Sequence, residues 1–226
     1  INTGARAFVP PIPGIEDVDV MTNVEMMEID TVPDHLVIVG GSYIGLEFAQ
    51  MYRRFGSKVT VVERSPRLIP REDEDVSEAI RAILANEGVD FRLDTQLGKL
   101  TKTETGFEAE LTHDGSSSTL VGTHLLMAVG RHPNTDDLGL DKAGIEVDVR
   151  GYIKVDDELK TNVEGVWALG DVNGKGAFTH TSYNDFEIVA ANLLDDDPRR
   201  VSDRISVYGL FVDPPLGRVG MTEQQA

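Results

Sequence analysis

The stretch that most constrains this chain is 36–63, LVIVGGSYIGLEFAQMYRRFGSKVTVVE. Leu36 to Gly40 is a short apolar run of the kind a parallel strand needs when both of its faces are covered. A glycine-rich turn follows, then a helical pattern, then a second strand over Lys58–Val62 that ends on Glu63. Strand, glycine turn, helix and strand in this order predict the opening unit of an α/β dinucleotide-binding domain. The glycine pattern G-x-G-x-x-G is met at its first and third positions by Gly40 and Gly45, while Ser42 stands at the second.

Each position has a physical task. Gly40 permits the tight turn out of the strand, and Gly45 lets the helix lie close to the sheet with no Cβ between. Gly41 keeps the loop pliable; Ser42 adds bulk where backbone would approach a pyrophosphate, but offers a hydroxyl donor. N–H groups at the start of the helix, together with its dipole, make an anion site. Ile44, Phe48, Met51 and Phe55 fall on one apolar face, and Gly56 supplies the stop. Glu63 lies 23 residues beyond Gly40, where a carboxylate can accept both ribose hydroxyls of NAD. A glycine turn before any helix, with Glu63 at a solvated strand end, would explain each feature singly but not their coincidence.

The balance of 21 Lys+Arg against 39 Asp+Glu gives a net charge of −18, which argues against nucleic acid or an anionic membrane as partner. No apolar run approaches the ~18 residues of a membrane span, and no charged-then-apolar leader is visible, so a cytoplasmic location is expected. Cysteine is absent, so no zinc–thiolate site or redox thiol lies within these residues. The start at Ile1 in a strand-like context and the end in a helical first turn suggest a piece of a longer protein.

Residues 1–34 read as the exit from one domain and a linker: a short strand, a Gly-Ala turn, an extended stretch from Pro10 to Pro13, and a short helix within Val18–Ile29. Domain 35–130 follows as a βαβαβ core with an antiparallel insert. After Glu63, a helix presents Val76, Ile80, Ile83 and Leu84 on one face. Its acidic start (Glu72, Asp73, Glu74, Asp75) suits the helix dipole better than a metal, and Gly88 caps its end. Val89–Leu93 is a third parallel strand. Lys99–Lys102, Gly106–Thr112 and Ser118–Val121 are short antiparallel strands, the last two joined through Asp114-Gly115. Leu125–Val129 returns to the parallel sheet. Beyond it, Tyr152–Val155 and Val166–Leu169 are predicted strands. A helix follows, with Ser182 and Asp185 as a capping box and Phe186, Val189, Ala190 and Leu193 as its apolar face. Ser206–Val212 is a last strand.

With these pieces placed, the chain resembles the class I pyridine nucleotide-disulfide oxidoreductase family, of dihydrolipoamide dehydrogenase, glutathione reductase and mercuric reductase type. The resemblance rests on NTGA at 2–5, GGSYIGLE at 40–47, AVGRHPN at 128–134, TNVEGVWALGD at 161–171 and RVGMTE at 218–223. FTHTSYND and FVDPPLGRVGMTE look most like the mercuric-reductase-like branch. The resemblance implies a Rossmann-like NAD(P)-binding domain, 35–130, set within a second Rossmann-like domain for FAD whose parts are 1–34 and 131–200. An interface or dimerisation domain would begin at 201–226, and the parent would be a homodimer.

By this resemblance the nicotinamide nucleotide is held by Gly40, Gly41, Ser42, Tyr43, Ile44, Gly45, Glu47, Glu63, Arg64, Gly130 and Arg131. Tyr43 matches an aromatic that covers the nicotinamide pocket in some members, and Glu47 one that reaches the nicotinamide amide. The flavin is met by Thr3, Gly4, Gly170, Asp171, Thr179 and His180, with Asp171 accepting a ribityl hydroxyl. The redox cysteine pair and the first FAD fingerprint would lie upstream of Ile1, and the His–Glu base downstream of Ala226. No catalytic residue and no metal ligand is therefore expected here. Glu63 favours NADH, because a carboxylate repels a 2′-phosphate, while Arg64 and Arg67 leave NADPH open. The implied activity passes hydride from NAD(P)H to FAD, then electrons to a disulfide, a metal ion or another acceptor. A flavin reductase without a redox disulfide, and a non-enzymatic stand-alone dinucleotide-binding module, are the competing readings.

Overall fold

The computed structural model describes residues 1–226. The chain divides into two compact units, each assembled from two stretches. One is Ile1–Arg6 with Arg131–Tyr208; the other is Ala7–Gly130 with Gly209–Ala226. Strand β1 (Ala5–Ala7) leads from the first into the second.

In the second unit the chain runs through β2 (Val20–Met21), α1 (Glu25–Glu28), β3 (His35–Val39), α2 (Tyr43–Phe55), β4 (Lys58–Val62), α3 (Glu74–Asn86) and β5 (Asp90–Arg92). It continues through β6 (Thr95–Lys102), β7 (Phe107–His113), β8 (Ser116–Gly122) and β9 (His124–Met127). Strands β2, β9, β3, β4 and β5 form one parallel sheet in that order, and β6, β7 and β8 form a three-stranded antiparallel sheet. The architecture is α/β, a parallel sheet with an antiparallel insert, as the sequence predicts. The edge strand β2, which pairs Val20 with Leu125, was hidden in a segment too weakly patterned to read.

The parallel strands are apolar because both faces are covered. On one face Leu36, Ile38, Val59 and Val61 pack with Leu46, Phe48, Ala49 and Tyr52 of α2 and with Ile80 and Leu84 of α3. On the other, Val37, Val62, Leu125 and Met127 pack with Leu97, Leu100, Phe107, Ala109 and Leu111 of the antiparallel sheet. The β7–β8 turn has Asp114 at φ 46° and Gly115 at φ 73°, the paired positive values that match a tight turn to strand twist.

Several expectations need correction. The buried face of α2 is Gly45, Leu46, Phe48, Ala49, Gln50 and Tyr52, and Phe55 is exposed. Phe48 is buried and Ile44 and Met51 pack against the same core as expected, and burial extends round to Gln50 because residues 211–213 cover a polar side of α2. Gln50 donates to Asp213 O at 3.0 Å and accepts from Asp213 N at 2.7 Å. On α3 the buried positions are Ser77, Ile80 and Leu84, with Ser77 Oγ donating to Leu68 O at 2.7 Å. The third parallel strand starts only at Asp90, because Val89 N–H still closes the end of α3 on Leu84 O at 3.1 Å, with Gly88 at φ 93° between.

The first unit contains β10 (Arg131–Pro133) and α4 (Thr179–Leu194), and its core is Leu140, Ile145, Ile153, Ala168 and Val172. The strands expected over 152–155 and 166–169 are reduced to single bridges, Val147 with Ile153 and Lys160 with Trp167. Leu159, at φ 65°, ends that pairing with its carbonyl accepting from Ala168 N at 3.1 Å, while Trp167 O and Leu169 N pair on the other side with Ile1. No Ser182–Asp185 capping box forms: α4 starts at Thr179, and its buried positions are Thr181, Asp185, Ile188 and Ala191. Phe186 and Leu193 are exposed. Strands β11 (Val207–Leu210) and β12 (Leu216–Val219) close the chain. No helix is long and apolar enough to cross a membrane.

Candidate functional site

In the second unit the site is built where β3 ends and α2 begins. Gly40 has φ 113°, and a Cβ there would lie 2.3 Å from Ala128 O. A Cβ on Gly45 would lie 2.1 Å from Gly40 O, so this helix position admits no side chain. Gly41 is hemmed in as well, since its Cβ would meet Leu68 at 2.6 Å. The turn is thus a backbone cradle with no space that a side chain could take. Ser42 is the N-cap residue of α2 and its hydroxyl makes no capping bond; Tyr43 and Ile44 follow as the first two helical residues.

Glu63 is buried, and its carboxylate is fixed at both oxygens. Oε2 accepts from Gly41 N at 2.6 Å and Oε1 from Ser65 N at 2.8 Å. Charge-assisted bonds to backbone N–H are the strong kind, so the acid at the end of β4 and the glycine turn are one rigid object. The chain then straps the turn: Leu68 and Ile69 are buried beneath it, and Ile69 N donates to Gly41 O at 2.9 Å. Arg64 is exposed. Tyr43, at the first position of α2, donates its hydroxyl to Glu72 Oε1 at 3.0 Å. Glu47 Oε1 accepts from Phe211 N at 2.9 Å. Gly130 has φ 130°, and its carbonyl accepts from Phe8 N at 3.0 Å.

In the first unit the Gly170–Asn173 turn carries the other candidates. Gly170 has φ 71°, and a Cβ there would meet Asn2 Oδ1 at 2.6 Å and Ser182 Oγ at 2.7 Å. Asp171 Oδ2 lies 3.3 Å from Arg131 Nε, a buried atom with no hydrogen-bond partner. Arg131, expected beside the nicotinamide nucleotide, thus stands with the Asp171 group and also donates to Ala5 O. Thr3 Oγ1 donates to Asn134 O at 2.8 Å, and Gly4 O accepts from Asn134 N at 3.0 Å with Gly4 at φ 71°. Thr179 and His180 open α4 and are exposed. His180 Nε2 donates to Val207 O at 2.7 Å, and its ring stacks on Phe178 at 5.4 Å.

The residue that sequence reasoning missed here is Asp185. It is wholly buried; Oδ2 accepts from Gly170 N and from Asn173 Nδ2, both at 2.8 Å, while Oδ1 pairs with Arg204. Its place in a Ser-Tyr-Asn-Asp run reads as a helix cap, and only the tertiary structure brings it under the Gly170 turn. Glu72 and Arg218 were likewise missed, the first because an acidic run before a helix is already explained by the dipole.

Comparison with known proteins gives a consistent setting. Residues 1–185 match the family model described as pyridine nucleotide-disulphide oxidoreductase. Over its whole length the chain is 43% identical to a probable pyridine nucleotide-disulfide oxidoreductase, RclA, of Escherichia coli, covering 51% of that protein. It is 36% identical to a mercuric reductase of Streptomyces lividans and 37% to dihydrolipoyl dehydrogenase 3 of Haloarcula marismortui, covering 47% and 48% of them. The solved structure of a Cu(II) complex of the HOCl-induced flavoprotein disulfide reductase RclA superposes with a TM-score of 0.90 at 41% identity, over 99% of this chain and 51% of that one. LpdA of Mycobacterium tuberculosis superposes with a TM-score of 0.87 at 28% identity, over 99% of this chain and 48% of that one. The chain spans about half the length of the relatives it matches.

Proposed function

This chain belongs to the pyridine nucleotide-disulphide oxidoreductase family, and on that premise we propose that it is the nicotinamide-nucleotide-binding part, with one portion of the flavin-binding part, of an FAD-dependent NAD(P)H oxidoreductase. Residues 35–130 take NAD(P)H, 1–34 and 131–200 contribute to the FAD site, and 201–226 open an interface domain through which the whole protein forms a homodimer. The observation that carries the reading is the backbone cradle of Gly40, Gly41 and Gly45 locked to the buried carboxylate of Glu63.

Glu63 is the selective element. Each of its oxygens is already used once by a backbone N–H and keeps a second lone pair for a ribose hydroxyl. A 2′-phosphate placed there would meet a desolvated negative charge, so NADH is the preferred cofactor, with exposed Arg64 unable to cancel a carboxylate that faces the turn. The N-terminus of α2, where the Ser42 side chain makes no capping bond, holds the pyrophosphate through backbone N–H groups and the helix dipole. In the first unit, Asp171, with Arg131 paired to it, would accept a flavin ribityl hydroxyl. FAD, when bound, would supply the chemistry that takes up hydride from the reduced nicotinamide and delivers electrons to a disulfide, a metal ion or another oxidant. These residues include no cysteine, so their part in that transfer is to bind and orient.

Calorimetric titration of the full-length protein with NAD⁺ and NADP⁺, repeated on Glu63→Gln, tests this. Tighter NAD⁺ binding that weakens about tenfold in the variant, the effect of about 1.4 kcal/mol, is expected. Tighter NADP⁺ binding that ignores the substitution would move selectivity to Arg64 and Arg67.

A further inference from the structure

Glu72 is a carboxylate in an expensive place. Its side chain is fully buried at the foot of α3, one residue before the Asp73 N-cap. A charge held out of water carries a desolvation penalty, and replacing a buried ion pair by well-packed apolar residues is often neutral or stabilising. Stability alone therefore does not account for it, and its geometry offers another reason.

One oxygen, Oε1, receives the Tyr43 hydroxyl at 3.0 Å. The other, Oε2, lies 3.6 Å from Arg218 Nη1, and Nη2 of the same guanidinium lies 3.6 Å from Asp73 Oδ2. Asp73 in turn accepts from Glu223 N at 3.0 Å and Gln224 N at 3.4 Å. Arg218 is on β12, and its side chain is only 13% exposed. The Tyr43 ring thus stands beside the glycine cradle with its phenol tied to Glu72. Glu72 is itself held by the last stretch of the chain, far away in sequence.

We propose that Glu72 is a positioning residue for the nicotinamide nucleotide: it sets the direction of the Tyr43 ring, and Arg218 sets the position of Glu72. The inference rests on the reading that Tyr43 borders the nicotinamide. Tying the ring before the ligand arrives removes part of the ordering cost of binding, and this is how the tie contributes to affinity. Residues 216–225 thereby bear on nucleotide binding without touching it.

The experiment is a double-mutant cycle in the full-length, FAD-loaded protein, using Glu72→Asp and Tyr43→Phe. Glu72→Asp keeps the charge facing Arg218 but withdraws the oxygen from the phenol; Tyr43→Phe keeps the ring and removes the tie. The readouts are the dissociation constant for NAD⁺ by calorimetry and, separately, the saturating rate of flavin reduction by NADH in anaerobic stopped flow. A normal flavin spectrum certifies that each variant is folded. Each single variant is expected to weaken NAD⁺ binding three- to tenfold, and the double variant to be no weaker than the worse single one. Arg218→Lys, which leaves both tied residues intact, is expected to give a smaller loss in the same direction that vanishes in the Tyr43→Phe background. Independent, multiplying effects of Glu72→Asp and Tyr43→Phe would overturn the tie, as would an unchanged affinity in Glu72→Asp. A Tyr43→Ala variant that handles NAD⁺ and NADH like the parent would remove the premise that Tyr43 borders the nicotinamide, a separate failure.

Discussion

At the scale of single residues, the buried polar groups carry the most consequence. Asp185 holds the Gly170 turn, Asn173 and Arg204 at once. Asp185→Ala removes the carboxylate partner of the largely buried Arg204 guanidinium, leaving it the Asn184 Oδ1 bond at 2.7 Å, and frees the Gly170 turn, so a loss of about 3–5 kcal/mol is expected, measurable as a lowered urea midpoint together with reduced flavin content. An unchanged midpoint would mean that water reaches Arg204 freely. Gly45→Ala places a Cβ 2.1 Å from Gly40 O. Its expected effect is loss of NAD⁺ affinity by at least about tenfold, because the cradle must open to admit the methyl group. The glycine turn and Glu63 were legible because their chemistry is local in sequence. Asp185, Glu72 and Arg218 were not, because a buried carboxylate is defined by partners that come from elsewhere in the chain. Arg131 was assigned by its neighbour Gly130, and the structure puts its side chain with Asp171 instead.

At the scale of elements, patterning located the strands well and the faces of helices poorly. β3 and β4 stand out because a strand covered on both sides must be apolar throughout. On α2 the expected Ile44, Phe48 and Met51 do pack with the core, but Phe55 is exposed and a polar side is also covered, by a segment more than 150 residues later, where Gln50 is buried as a hydrogen-bonding group. Periodicity measures apolarity, and it has no means of marking a polar residue that is buried with its partner. The contact at the start of α3 has a pH signature. The Glu223 N–H, followed by the Gln224 N–H and Arg218, holds the Asp73 carboxyl below its ordinary value of 3.8. A group whose folded pKa is depressed stabilises the fold above its unfolded pKa, and that contribution is lost as pH falls through the folded one. The protection of the Glu223 and Gln224 amides, measured against the unfolded chain's exchange at the same pH, is therefore expected to fall as the pH is lowered below about 3.8. Asp73→Asn should show fast exchange already at neutral pH; equal protection in the two proteins would refute the assignment.

At the scale of the whole molecule, the net charge of −18 is a uniform cost of compaction. Screening relieves it, with a Debye length that falls from about 10 Å at 0.1 M salt to about 3 Å at 1 M. The melting temperature is expected to rise between those concentrations, and to rise less in variants that replace surface Asp or Glu by Asn or Gln. A fall would show that specific ion pairs outweigh the general repulsion. The two compact units are each discontinuous in sequence: the second opens at Ala7, is left at Gly130 and resumes only at Gly209. This has a consequence for how the protein is made. The ribosome delivers about 5–20 residues per second, so several seconds of synthesis separate Gln50, Glu47 and Glu72 from the backbone and side chains that will meet them at Phe211, Asp213 and Arg218. Throughout that interval the nascent sheet carries a helix with an unfinished flank and a buried-to-be carboxylate still in water. Chains stalled near residue 205 should be cut by protease around α2 and α3, and chains released past Ala226 should resist.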